Sequence, residues 1–139
     1  MIDIDAEYSD LERDMVDHLL ALVPQMPVEY ARVSVGIGLP EGWRPEGDPH
    51  LSVREDGSSE VRAWSERGAL LETATVRVVA WADTLTRVKH LARVARTAAL
   101  RYPARPALGV RASIDDDTRS PIASFTVTVR RRPYLNRAL

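Results

Sequence analysis

The sequence predicts an α+β domain in which two helices pack on one face of a mostly antiparallel mixed sheet of about five to six strands. Three patterns carry that expectation. An amphipathic helix pattern from Ser9 to Leu22 precedes every strand pattern. The alternating segment Thr73–Trp81 runs directly into an alanine-rich helix pattern that reaches about Tyr102. Two further alternating segments close the chain. The order helix, strand, loop, hairpin, strand, helix, strand, strand leaves the helices to cover one sheet face.

The first helix is signalled by Ser9 and Glu12 at capping-box spacing. Leu11, Met15, Leu19 and Leu22 recur at helical spacing, with Val16 and Val23 beside them. Pro24 ends the pattern. Val28 to Ile37 reads as the first strand. Val33, Val35 and Ile37 alternate, while Val28 and Tyr30 are out of phase, which suggests a bulge near Ala31-Arg32. Gly38 to Pro49 contains three glycines and three prolines. That composition excludes a regular element and predicts a flexible loop over 38–49.

His50 to Glu55 reads as a short strand and Asp56-Gly57 as a turn. Glu60 to Glu66 reads as its hairpin partner. In Thr73–Trp81, Ala74, Val76, Val78 and Ala80 alternate with Thr75, Arg77 and Val79, so one face is apolar. Asp83 or Thr84 supplies a cap for the second helix. Leu85, Val88, Leu91, Ala92, Ala95, Ala98, Ala99 and Tyr102 share one arc of that helix, and Lys89, His90, Arg93, Arg96 and Arg101 share the other. The apolar arc suits a core and the alanines permit close approach to a sheet. Pro103 and Pro106 stop the helix. Leu108, Val110, Ala112 and Ile114 mark one more strand. Asp115-Asp116-Asp117 opens a turn, and Phe125, Val127 and Val129 mark the last strand. The sheet face away from the helices is expected to carry Arg62, Trp64, Arg77, Thr126 and Thr128. Residues 130–139 read as a basic C-terminal tail, unstructured in the isolated chain.

The 139 residues suit a single domain, 1–139. A net charge of -1 argues against a general nucleic-acid-binding surface. The absence of cysteine removes disulfide and thiolate chemistry. No apolar run approaches the ~20 residues of a membrane span. The acidic N-terminus has no secretory-signal pattern. The expectation is a protein that stays in the cell that makes it and contacts no membrane.

Motifs for chemistry are sparse. His18, His50 and His90 have no metal-ligand spacing. Asp48 and His50 could form a local pair, although a loop end entering a strand explains them more simply. Asp115–Asp117 lacks the alternating ligands of a calcium loop and reads as a solvated turn. No nucleophile elbow, phosphate loop or dinucleotide fingerprint is present. No catalytic residue, metal or cofactor is therefore expected. The contact candidates are Trp43 and Arg44 in the loop, of types enriched at interface hot spots. Arg130, Arg131, Arg132, Tyr134 and Leu135 form a second group, suited to a neighbouring subunit or to DNA phosphate.

Several segments together resemble one family. These are the helix Leu11–Leu22, Pro49-His50-Leu51-Ser52-Val53-Arg54 before Asp-Gly, and the strand Thr75–Trp81 ending in Val79-Ala80-Trp81-Ala82. Leu91-Ala92-Arg93-Val94-Ala95-Arg96-Thr97-Ala98-Ala99-Leu100 and Phe125-Thr126-Val127-Thr128-Val129-Arg130 complete the set. In pattern and order, over most of its length, the chain resembles the tail terminator (tail completion) proteins of long-tailed bacteriophages. The resemblance implies a small α/β domain assembled as a homo-hexameric ring on the head-proximal end of the tail tube. It implies three kinds of partner: the tail tube protein, a head-tail connector or stopper protein, and double-stranded DNA passing through the lumen without specific recognition. It places the protein in the neck of a virion assembled in the host bacterial cytoplasm. The family has no catalytic residues to carry over. Another neck component, such as a head-tail joining or head completion protein, fits the same size and composition. Further away stand a small hydrolase using Asp48, His50 and an Asp of 115–117, and a DNA-binding module using Arg130–Arg132 with the second helix.

Overall fold

A computed structural model of the protein describes residues 11–63, 70–102 and 104–131, with the side chains of 57–72 and of 130–131 outside the description. Helix α1 spans Leu11–Leu22 and is followed by two single 3₁₀ turns, Val23–Gln25 and Val28–Tyr30. The strands are β1 Ser34–Gly36, β2 His50–Ala63, β3 Leu70–Trp81, β4 Ala104–Ile114 and β5 Pro121–Arg131. Helix α2, Leu85–Ala99, lies between β3 and β4 in the chain. The five strands form one mixed sheet in the order β1-β2-β3-β5-β4. The β1–β2 pair is parallel and the other pairs are antiparallel. The architecture is α+β, as the patterning predicts.

The register explains why one face is the core. Leu51 and Val53 lie opposite Ala80 and Val78. Val78 lies opposite Phe125, and Val76 opposite Val127. All seven are buried, and alternation puts them on one face. Helix α2 lays Val88, Leu91, Ala92, Ala95 and Ala99 onto that face, each fully buried, and contacts β3, β5 and β4. Helix α1 packs beside it through Leu11, Met15, Val16 and Leu19, over β1 and β2. The alanines let α2 sit close, while Leu19, Leu91 and Phe125 supply bulk, each worth about 1.5–3 kcal/mol of burial.

Side chains lock the helices in place. Thr84 caps α2, its hydroxyl accepting the Arg87 amide at 3.2 Å. His18 Nε2 lies 2.7 Å from the Ala98 carbonyl, tying α1 to the last turn of α2, and its ring meets Tyr102 edge-on. A Glu12 carboxylate oxygen accepts the Glu55 amide at 2.9 Å, so this residue joins α1 to β2; its expected capping partner Ser9 lies outside the described residues. Among the described residues, no helix is long and apolar enough to cross a membrane.

Three expectations are corrected. Val28–Tyr30 is a 3₁₀ turn, not the start of a bulged strand, and β1 is confined to Ser34–Gly36. Pro27 leads into the turn and Tyr30 is drawn into the core, fully buried. The Asp56-Gly57 turn does not form and residues 60–63 are not a hairpin partner, because β2 continues to Ala63 and pairs with β3 on both sides of residues 56–58. The local signal survives as a register shift between Glu55 and Ser59, a bulge in a long ladder. Helix α2 ends at Ala99, three residues short of Tyr102.

Candidate functional site

The sheet face opposite the helices is built by His50, Ser52 and Arg54 on β2, by Arg77, Val79 and Trp81 on β3, and by Ile122, Ser124 and Thr126 on β5. These positions alternate with the core residues on the same strands. The face is divided. At one end His50, Ser52, Trp81 and Ile122 are buried; toward the middle Arg54 and Arg77 are exposed.

Segment 38–49 accounts for much of the buried end. The Trp43 ring meets Trp81 edge-on, with centroids 5.8 Å apart. Its indole N–H donates to the Asp48 carbonyl at 3.0 Å, closing the segment on itself. The Trp81 indole N–H donates to the Ser52 hydroxyl at 3.0 Å. His50 holds both ends of the crossing between β1 and β2. Its Nε2 donates to the Gly38 carbonyl at 2.8 Å, which leaves Nδ1 to accept the Ser34 hydroxyl at 2.7 Å. Burial pushes the His50 imidazole below its ordinary value, and the Gly38 carbonyl only partly opposes this. The neutral ring is the form that both bonds require. Gly38 adopts a positive φ of 77°, and a side chain there would strike the Arg54 guanidinium at 2.9 Å.

The sequence candidates fall into different surroundings. Trp43 is half-buried against Trp81, and Arg44 is exposed beside it. Arg130 and Arg131 continue β5 opposite Thr73 and Glu72, with side chains outside the description. Arg132, Tyr134, Leu135 and Trp64 lie outside the described residues, as does the Arg62 side chain. Thr126 departs from expectation: it is 5% exposed, because its hydroxyl accepts the Leu108 amide at 2.9 Å where β4 slips register.

Two residues of the hydrolase alternative, His50 and Asp115, are occupied locally. His50 bonds Ser34 and Gly38 rather than Asp48. Asp115 accepts both the amide and the hydroxyl of Thr118 at 2.8 Å. These bonds hold its carboxyl below the ordinary range. Among the described residues no group of three or more His, Cys, Asp or Glu is placed to hold a metal ion. His90, expected to be solvated, lies half-exposed with Nδ1 2.6 Å from the Tyr30 hydroxyl and 3.4 Å from Glu29. Burial, reinforced by Glu29, pushes the Tyr30 phenol up.

Sequence reasoning passed over Ser34, Ser52 and Arg54. The signal was present in the phase of His50, Ser52 and Arg54 against Leu51 and Val53, which marks a polar face beside an apolar one. The cross-strand pairing of these residues appears only with the register of β2 on β3. Edge strand β4 carries Leu108 and Ile114, each about half-exposed. Pro106 and two register shifts interrupt its ladder with β5, features that blunt an edge against uncontrolled pairing.

No protein-family profile matches the chain, and no curated protein matches it. Among solved structures, it is similar to a chain from the virion of a native gene transfer agent particle. The identity is 12% and the TM-score 0.47, covering 90% of this chain and 100% of that one.

Proposed function

We propose that this chain is a structural virion protein that forms a ring at the head-proximal end of a phage tail tube, ends tube polymerisation and joins the tail to the head connector. The supporting observation is where the terminator-like segments fall. Leu11–Leu22 is α1, His50–Arg54 opens β2, Thr75–Trp81 lies in β3, Leu91–Ala99 lies in α2, and Phe125–Arg130 lies in β5. These segments build the sheet and its helical cover, and they leave one sheet face and edge strand β4 for other chains. A closed ring needs such distinct, non-identical contact surfaces on each subunit.

In this reading the ring is a homo-hexamer seated between the tail tube protein and the connector or stopper protein. Double-stranded DNA passes through its lumen without specific recognition, which suits a chain of net charge -1. Trp43, Arg44, Arg130, Arg131, Arg132, Tyr134 and Leu135 act as partner contacts. The chemistry is assembly rather than catalysis.

The test is electron microscopy of particles made without the protein. Overlong tails support a terminator. Tails of normal length that fail to join heads assign the chain to another neck component, and normal particles remove the virion reading. A complementary assay adds the purified protein to growing tubes and measures whether elongation stops.

A further inference from the structure

The open sheet face carries a row of arginines that the core does not need. Arg54 and Arg77 are direct cross-strand partners on β2 and β3, and both are exposed. Like charges facing each other across a ladder are destabilising, so the fold gains nothing from this pair by itself. Arg77 extends toward β5, donating to the Ser124 hydroxyl at 3.3 Å. Arg111 on β4 lies opposite Ser124 from the other side. Arg77, Arg111, Ser124 and Asp56 line one shallow cavity of about 170 Å³. Two guanidiniums, Arg77 and Arg111, thus share this cavity with a single lining carboxylate, while the Arg54 guanidinium turns the other way, toward Gly38; among the described residues none of the three forms an ion pair.

The same chain displays a complementary surface elsewhere. The turn between β4 and β5 presents Asp115, Asp116 and Asp117 against one cation, Arg119. Asp115 is used up in holding the turn, through Thr118. Arg119 adopts a φ of 59° and donates its amide to the Asp115 carbonyl at 2.8 Å. Asp116 and Asp117 are therefore presented, exposed, on a structured turn. Carboxylates offered in a fixed arrangement lose little freedom on contact, and guanidiniums match them in geometry.

We infer that the cavity lined by Arg77 and Arg111 receives the Asp116-Asp117 turn of a second copy of this chain, in a head-to-tail contact. In the head-to-tail arrangement each contact uses one of the two surfaces on each molecule and leaves one of each free for the next copy. A second copy is favoured because both complementary surfaces lie on the same nearly neutral chain. The inference deepens the ring reading and rests on it only for closure of the array.

Sedimentation velocity of the full chain across concentration and salt tests this. The expected result is association that weakens as salt rises. Asp116→Arg with Asp117→Arg, or Arg77→Glu with Arg111→Glu, should each weaken it by about tenfold or more. Mixing the two reversed variants should restore it, because each retains the surface that the other lacks. The milder Asp117→Asn and Arg77→Gln, checked for an unchanged melting temperature, give the same direction if folding of the reversed variants fails. Association that ignores every substitution overturns the contact yet leaves a ring built through another surface. A chain that stays monomeric throughout also overturns the contact, while tube-capping activity then still decides the terminator reading. Binding of a short DNA duplex that Arg77→Glu abolishes would assign the cavity to phosphate and overturn the second-copy occupant.

Discussion

The two faces of the sheet solve the same problem by different means. The helix-covered face is sealed by apolar packing: Leu91, Ala92 and Ala95 of α2 and Val76, Val78, Phe125 and Val127 of the sheet are buried in one cluster. The opposite face is sealed only at one end, and there by polar bonds as well as rings. His50, Ser52 and Trp81 are as hidden as many core residues, yet each is held by a directed hydrogen bond. Apolar packing tolerates no missing volume, whereas a bonded cover can be released by replacing its partners. The first face therefore carries stability, and the second is where a binding event can act.

The largest effect expected from this contrast is at Phe125, which is 1% exposed on the helix side. Phe125→Ala should lower unfolding free energy by about 3–5 kcal/mol, read from the midpoint of urea denaturation. A loss below about 1 kcal/mol would show that the helix face is loosely packed and would erase the contrast.

His50→Ala should cost less, about 1–3 kcal/mol, because it strands the Ser34 hydroxyl and the Gly38 carbonyl rather than leaving a large void. This residue also gives the bonded end a pH signature. Its folded value lies below the ordinary 6.5, so the unfolded chain binds more protons between those two values. The stability contributed by neutral His50 is complete above about pH 6.5 and is lost as pH falls through the depressed folded value. Denaturation midpoints from pH 8 to 5 should decline in the wild type and decline less in His50→Ala. Equal slopes would mean that another group titrates.

Trp43→Ala should have a smaller global effect, about 1 kcal/mol, from loss of the edge-to-face pair with Trp81. Its local effect should be clear: faster hydrogen exchange over 38–49 with little change in α2. Uniform acceleration across the sheet would mean that the segment is part of the core after all. The smallest effect is expected at Asp115, near the solvent. Asp115→Ala should change stability by no more than about 0.5 kcal/mol at neutral pH. Any difference should vanish as pH falls through the lowered value of its carboxyl, because the protonated side chain loses its hold on Thr118.

The sequence made α2 and β3 legible for a physical reason. Each has an unbroken period, and Thr84 marks where the helix starts. The errors lie where a distant partner overrode a local preference. Asp56-Gly57 has strong turn chemistry, but the ladder from His50 to Ala63 pairs with β3 on both sides of it and absorbs the pair as a bulge. Val28 and Tyr30 have strand-forming side chains, but the burial of Tyr30 is better served by a tight turn after Pro27. The candidate site was harder to read. Trp43 and Arg44 were visible by type, whereas the pairing of Arg54 with Arg77 exists only once the register of β2 on β3 is known. No local pattern encodes that juxtaposition.

The His50 imidazole bonds one residue of β1, Ser34, and one residue of the segment that follows it, Gly38. The edge strand and its crossover are thereby one cooperative unit rather than two. The edge strand is three residues long, and α1 and the Ser34 amide on the Pro49 carbonyl hold it as well. Loss of the His50 ring is therefore expected to loosen Ser34 and Gly38 together rather than one at a time.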